Sequence, residues 1–342
     1  MSRKIVSLLS MLMATVAMTG VGLAQTKDKP LVLNYADIEP AGTIRTRNVE
    51  WWINEIEKRT NGAVKIRPYW AGALVGGKDI PIGVAKGYPE MGSNVYIYDA
   101  SFVPALGVFD LPVAKTSVGA IRAFADMVQN DKTLRAELHK RKMIGLTVFG
   151  HHGPSMAVTT KPVAGPADVK GLRLRSPGGL RADILRAMGA EVVTMGAADV
   201  YTALQRGTVD GLSSSVKDIY EWKWTDYAKF GWSLGIPLGP PLIYVINEDV
   251  WNGISPEMQK IILQTSAEFL DKQIADYEAG LSEFFDKMKA NGVTFKEIPQ
   301  ITAVSQKVSD EGVQIWVTRM KEAGVPGQEL LDAFRKTLSK YE

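Results

Sequence analysis

Residues 170–211, KGLRLRSPGGLRADILRAMGAEVVTMGAADVYTALQRGTVDG, constrain the fold more than any other part of the chain. Leu172-Arg173-Leu174-Arg175 alternates apolar and basic residues, so a strand here turns both leucines to one face and both arginines to the other. Ser176-Pro177-Gly178-Gly179 interrupts that strand. Leu180, Ile184, Leu185 and Met188 then recur at helical spacing until Gly189 ends the helix. Val192-Val193-Thr194 reads as a second strand and residues 197–206 as a second helix. The result is a strand–helix–strand–helix unit of an α/β fold, with a guanidinium where the first strand runs out. An arginine there is well placed to bind an anion. Most arginines are solvated surface charges, however, and two on one face are not buried without partners. At most one of Arg173 and Arg175 is therefore special.

Upstream, Arg3 and Lys4 precede an apolar run over residues 5–21 and the small residues of Gly22-Leu23-Ala24. Residues 1–24 read as a secretory signal peptide cut after about Ala24. No second hydrophobic run of spanning length follows, which disfavours a membrane anchor. The 342 residues include no cysteine, so the chain lacks disulfides, a thiol nucleophile and a thiolate metal site. It also lacks the cysteine that a lipid-anchored bacterial export product needs at its cleavage site. The expected location is periplasmic, without a lipid anchor. With 40 basic and 37 acidic residues the charge is nearly balanced, giving no reason to expect nucleic acid or an anionic membrane as partner.

Without residues 1–24 the chain still exceeds the roughly 250–300 residues at which a single core stops growing, so two cores are expected. Residues 31–36, 64–69 and 91–98 read as strands, separated by helices near 43–61 and 80–86, which predicts a parallel sheet covered by helices. Residues 117–141 read as one long helix and 143–149 as a buried strand. Gly150-His151-His152-Gly153-Pro154 is the candidate crossing into a second α/β region, and Pro237 to Pro241 the return. The helical pattern from Ser255-Pro256 continues to about Ala290, long enough at about 1.5 Å per residue to span both domains. A strand over 293–298 and helices over 303–323 and 328–340 complete the chain. Residues 25–153 with about 241–280 are expected to form domain I, and 154–240 with about 281–342 domain II. A chain that crosses twice leaves a cleft between its domains.

Enzyme signatures are scarce. Of three histidines, His139 lies in a charged helix, and the adjacent His151 and His152 point to opposite sides of an extended segment. That pair reads as a polar hinge or cleft-edge loop. No HExxH, GxSxG, dinucleotide or P-loop motif is present. An exported two-domain chain with a cleft suits a receptor that closes around a solute, and a guanidinium matches the two oxygens of a carboxylate. The helix start after Gly179 would add backbone N–H donors.

Several segments carry a family resemblance. Residues 167–175 (ADVKGLRLR), Met188-Gly189-Ala190 and residues 200–211 (VYTALQRGTVDG) are the core of it. Asn247 with Trp251, Ser255-Pro256 and Gln259, and the segments 42–62 and 87–94, extend it over nearly the whole exported chain. The chain resembles the solute-binding subunits of TRAP (tripartite ATP-independent periplasmic) transporters, of the C4-dicarboxylate-binding type. The resemblance implies an α/β, two-domain periplasmic binding protein fold with a hinged cleft and a long helix spanning both domains. It implies a small organic anion as ligand, integral membrane TRAP permease subunits as partners, and a monomeric receptor that is not an enzyme and needs no cofactor.

The resemblance also separates the arginines: Arg175 takes the ligand-carboxylate role and Arg173 becomes the surface charge. Ser213 and Ser214 come just after the VDG turn, where residues usually line the pocket, and Ser214 stands where several relatives carry asparagine. Asn94 and Tyr96 come from the matching loop of the first domain, and Glu39 from the loop after the first strand. Where many relatives carry a second arginine this chain has Pro154-Ser155-Met156, which favours a monocarboxylate and adds Ser155 to the candidates. Glu221-Trp222 falls several residues later than the Glu-Trp pair with which some relatives bind a metal, so no metal is inferred. Trp222 and Trp224, with Tyr35 and Tyr98, would form an aromatic wall for a bulky or aromatic acid, although core packing is the commoner fate of such residues. An exported enzyme acting on an anion, and a sensory receptor for the same ligand class, are the alternatives.

Overall fold

The computed structural model describes residues 26, 29–151, 153–237 and 242–342. The signal peptide with its cut after Ala24, His152, and the return crossing from Leu238 to Pro241 lie outside the described residues. The chain begins with β1 (Leu31–Ala36), α1 (Ile44–Arg59), β2 (Val64–Tyr69), α2 (Ile80–Lys86) and β3 (Met91–Asn94). Then come α3 (Ser117–Asn130), α4 (Lys132–His139) and β4 (Met143–Phe149). The second region is β5 (Pro154–Thr159), β6 (Arg173–Ser176), α5 (Gly179–Ala187), β7 (Glu191–Thr194), α6 (Ala197–Gln205), β8 (Gly211–Ser214), α7 (Val216–Glu221) and β9 (Phe230–Pro237). The end comprises β10 (Leu242–Asn247), α8 (Glu248–Asn252), α9 (Pro256–Ala290), β11 (Thr294–Lys296), α10 (Pro299–Glu322) and α11 (Gly327–Leu338).

These strands make two sheets, β2-β1-β3-β10-β4 and β11-β9-β5-β8-β6-β7. The first is mixed where a parallel sheet was expected. β1 is parallel to β2 and β3, but β10 inserts antiparallel to both β3 and β4. All six residues of β10 are buried, as befits a strand held inside the sheet between β3 and β4. In the second sheet β6 runs parallel to both β7 and β8, the arrangement that the opening motif implied.

The long helix expected over 117–141 is two helices. Asp131 leaves the helical conformation at the end of α3, and its carboxylate accepts the Leu134 N–H at 2.8 Å to cap α4. α9 is one 35-residue helix, about 50 Å long. Ser255 caps it and Pro256 occupies its first turn. Ile262, Phe269, Ile274 and Tyr277 pack into the core of the first sheet. Phe284 and Met288, further along the same helix, pack into that of the second.

The C-terminal segment departs from the expected division. α10 packs Ile301 against the second sheet's core, but Leu330, Leu331, Phe334 and Leu338 of α11 join the first core. Phe334 meets Phe109 edge-on at 5.0 Å, so the apolar stripe of α11 draws the end of the chain back across the molecule. Residues 281–342 therefore do not pack with the second sheet as one block.

Three contacts between the two halves share one chemistry. Glu221 accepts the Ile44 N–H at 2.9 Å, Asp110 the Leu180 N–H at 2.7 Å, and the Tyr98 hydroxyl the Ala197 N–H at 3.0 Å. Each places an oxygen of one half on the open N-terminus of a helix in the other, α1, α5 and α6 in turn.

Candidate functional site

The carboxyl ends of the strands converge between the sheets. Glu39 follows β1, Tyr98 follows β3, His151 follows β4, Arg175 closes β6, and Ser214 ends β8 just before Asp218 of α7. All six line one cavity of about 50 Å³, with Phe149, Trp222, Arg45 and Arg181 among its other walls. Strand ends facing a crevice are where open α/β sheets bind ligands.

The alternation of β6 sends Leu174 into an apolar core and Arg175 toward the cavity. Arg175 is 2 % exposed. Its Nε donates to the Met195 carbonyl at 3.0 Å, its Nη1 to the Ser213 carbonyl at 3.4 Å, and its guanidinium lies 5.8 Å from the Trp224 ring. Among the described residues no carboxylate comes within 4.0 Å of it. Burial lowers its pKa, and the nearby charge of Arg181 lowers it further. Arg173 differs in every respect: it is bidentate to Asp210 at 2.8 and 3.1 Å, and its side chain is 41 % exposed. One arginine is neutralised at the surface; the other is buried without an acid to balance it.

The rest of the floor is a buried lattice of paired charges. Arg45 reaches Asp37 at 2.6 Å and Glu39 at 3.1 Å. Lys217, from the other half, binds Glu39 and lies 3.2 Å from both Asp218 and Glu221. Burial pushes the Glu39 carboxyl up, but Lys217 and Arg45 outweigh it and leave its pKa below the usual range. Asp218 also accepts from Ser214 Oγ at 3.0 Å and faces His151 Nε2 at 3.0 Å. Its pKa is driven well down: burial is the largest effect and raises it, but His151 and Lys217 together win. The His151 Nδ1 is buried without a hydrogen-bond partner.

Of the residues singled out by sequence, Glu39, Arg175, Ser214 and Trp222 line the cavity together. Asn94, Tyr96, Ser155 and Ser213 do not. Asn94 sits within the first sheet opposite Ile243, and Tyr96 turns into the core against Phe124. Ser155 is buried in β5, and Ser213 meets Arg175 through its carbonyl alone. In the short turn Tyr96–Tyr98 it is the third residue, not the first, that faces the cavity. The aromatic wall is also redistributed. Tyr35 is core, bonded to Asp37 and packed on Trp70 and Tyr244, while Tyr98, Phe149 and Trp222 border the cavity. The helix start after Gly179 does not offer its first N–H to the cavity, because Asp110 holds the Leu180 N–H. Glu221 caps α1, and among the described residues no group of three or more His, Asp or Glu is arranged to hold a metal ion.

Arg45, His151, Arg181, Lys217 and Asp218 were missed. His151 carried a signal, its place at the crossing. The others sit on helices whose rotation toward the cleft depends on tertiary packing, and their sequence neighbours look like ordinary charged helix surface.

The fold and cavity define a class: a two-domain α/β protein with a charged, aromatic-walled cleft between its sheets. Residues 35–318 match the profile of the DctP family, bacterial extracellular solute-binding protein, family 7, and the chain belongs to that family of TRAP transporter solute-binding proteins. It is 27 % identical over 286 residues to the 2,3-diketo-L-gulonate-binding periplasmic protein of Escherichia coli K12, covering 81 % of this chain and 83 % of that one. A marine metagenome TRAP solute binding protein specific for pyroglutamate shares its fold with a TM-score of 0.81 at 21 % identity, covering 90 % of this chain and 99 % of the other. Another from the same source, specific for aromatic acid ligands and bound to metahydroxyphenylacetate, also gives 0.81 at 21 % identity, covering 91 % and 99 %.

Proposed function

We propose that this protein is a periplasmic receptor that captures a small organic acid anion and delivers it to a TRAP membrane permease, without chemical turnover. One observation carries the reading: Arg175 is 2 % exposed, lines the cavity and has no acid partner among the described residues. A buried guanidinium without a counter-charge is costly, and a ligand carboxylate supplies both the charge and two matched acceptors. Tyr98 and the free Nδ1 of His151 stand beside that position as further polar contacts, and Phe149 and Trp222 offer apolar faces. A monocarboxylate, aromatic ones included, suits that combination. The relatives that bind pyroglutamate and aromatic acids support the class of ligand.

The test is a thermal-shift screen of the wild type against carboxylates, sulfonates and aromatic acids, repeated with Arg175→Ala and Arg173→Ala. A ligand at 100 times its Kd stabilises the native state by about 2.7 kcal/mol. Arg175→Ala should lose that shift with its fold intact, and Arg173→Ala should keep it. Unchanged affinity in Arg175→Ala would sink the assignment.

A further inference from the structure

A second buried guanidinium faces the same cavity. Arg181 lies in the first turn of α5, is 6 % exposed, and makes no hydrogen bond or ion pair within 4.0 Å to any described residue. It borders both the main cavity and a smaller adjoining one of about 20 Å³, walled by Phe109, Leu111, Ile236 and Phe334. The nearby acid is Asp110, and its Oδ2 already accepts the Leu180 N–H at 2.7 Å. Asp110 also lines the smaller cavity, and burial raises its carboxyl pKa while the Arg181 charge opposes, but no oxygen of Asp110 comes within 4.0 Å of the Arg181 guanidinium.

Arg45 shows how a buried guanidinium is charge-balanced here: its Nη2 meets two carboxylates, at 2.6 and 3.1 Å. Arg175 and Arg181 have none, and both charges border a space of about 50 Å³. One carboxylate seated bidentately on Arg175 uses its oxygens there. It leaves Arg181 desolvated and unpaired, a costly state unless another acceptor arrives.

We propose that Arg181 is a specificity residue: it selects, among acids anchored on Arg175, those carrying a second oxygen acceptor within reach, whether hydroxyl, carbonyl or carboxylate. The proposal rests on the carboxylate reading of Arg175. It widens the monocarboxylate reading drawn from Pro154-Ser155-Met156: β5 brings no arginine to the cavity, but α5 does.

The experiment is calorimetry on three matched pairs: benzoate with 3-hydroxybenzoate, butyrate with succinate, and cyclopentanecarboxylate with pyroglutamate. The wild type should prefer the oxygen-bearing member of at least one pair by about tenfold or more, as expected for a charge-assisted hydrogen bond in a buried site. Arg181→Met keeps the bulk of the stem and removes the donors; it should erase that preference while holding the plain acid within about twofold. Arg181→Leu, likewise without donors, serves the same purpose if the Met variant does not fold. Arg175→Ala should lose both members of the pair, so retained binding there overturns the anchor, whereas the Arg181 proposal is judged by the difference within a pair. Equal loss of both members in Arg181→Met, or no preference in the wild type for any pair, overturns it. A wild type that binds none of the six acids counts against both readings.

Discussion

Asp110 Oδ2 accepts the backbone N–H of Leu180 at 2.7 Å, so a carboxylate on the first half caps a helix on the second. The approach depends on two glycines at the start of α5. A Cβ on Gly178 would stand 2.8 Å from the Ile97 carbonyl oxygen, and one on Gly179 would stand 2.0 Å from Asp110 Oδ2. Both also hold positive φ, +121° and +60°, where a side chain adds strain. The contact forms only while the halves are together, so its loss should favour the open form. Replacing an N-capping acid by alanine costs about 0.5–2 kcal/mol, which predicts a roughly 2- to 30-fold weaker ligand affinity for Asp110→Ala. Small-angle scattering of the ligand-free variant should show a more extended population than the wild type. Unchanged affinity and scattering would mean that this cap does not contribute to closure.

How far the sequence reached can be judged on β6 and its surroundings. The Leu-Arg-Leu-Arg alternation and the glycine punctuation predicted the strand and α5, because both depend on local periodicity and backbone freedom. Periodicity put Arg173 and Arg175 on one face and went no further. What separates them is long-range: Asp210, in the middle of the VDG turn, lies beside Arg173, while Trp224 and the Met195 carbonyl enclose Arg175. The same limit applies to Tyr96 and Tyr98, since a short 3-10 turn rotates its side chains by an amount no two-residue period describes. Asp131 could have been read as a cap that divides 117–141, being followed by an apolar residue three positions on. Arg181 could not be placed without the packing of α5.

Acid should act on the cavity floor through Asp218. Its carboxyl faces His151 at 3.0 Å, Lys217 at 3.2 Å and Ser214 Oγ at 3.0 Å, and in the folded state it titrates well below its ordinary value of 3.8. A carboxyl with a depressed folded pKa contributes stability that is fully present above its unfolded pKa and is lost as pH falls toward the folded one. Asp218→Asn should therefore be less stable than the wild type at pH 7, by up to about 3–5 kcal/mol for a broken buried pair. The difference between the two melting temperatures should shrink as the pH drops below about 4. A gap that stays constant from pH 7 to pH 3 would show that folding does not shift the pKa of this carboxyl.

The helix common to both halves offers a last test. In α9, Tyr277 belongs to the first core and Phe284 to the second, and Gly280 lies between them. A Cβ there would meet Phe284 at 3.5 Å and Ile44 at 3.9 Å, ordinary contacts that need no rearrangement. On helix propensity alone Gly280→Ala should stabilise the protein by about 0.8–1 kcal/mol, raising Tm by about 2 °C. A glycine where alanine fits would ease bending of the shared helix between its two anchoring segments, the motion expected if the cleft opens by a hinge. Gly280→Ala should then release ligand more slowly in stopped-flow measurements while binding it at least as tightly. A raised Tm with an unchanged release rate would move the bend elsewhere, and a lowered Tm would mean that Gly280 is held by packing that the ordinary contacts at Phe284 and Ile44 do not explain.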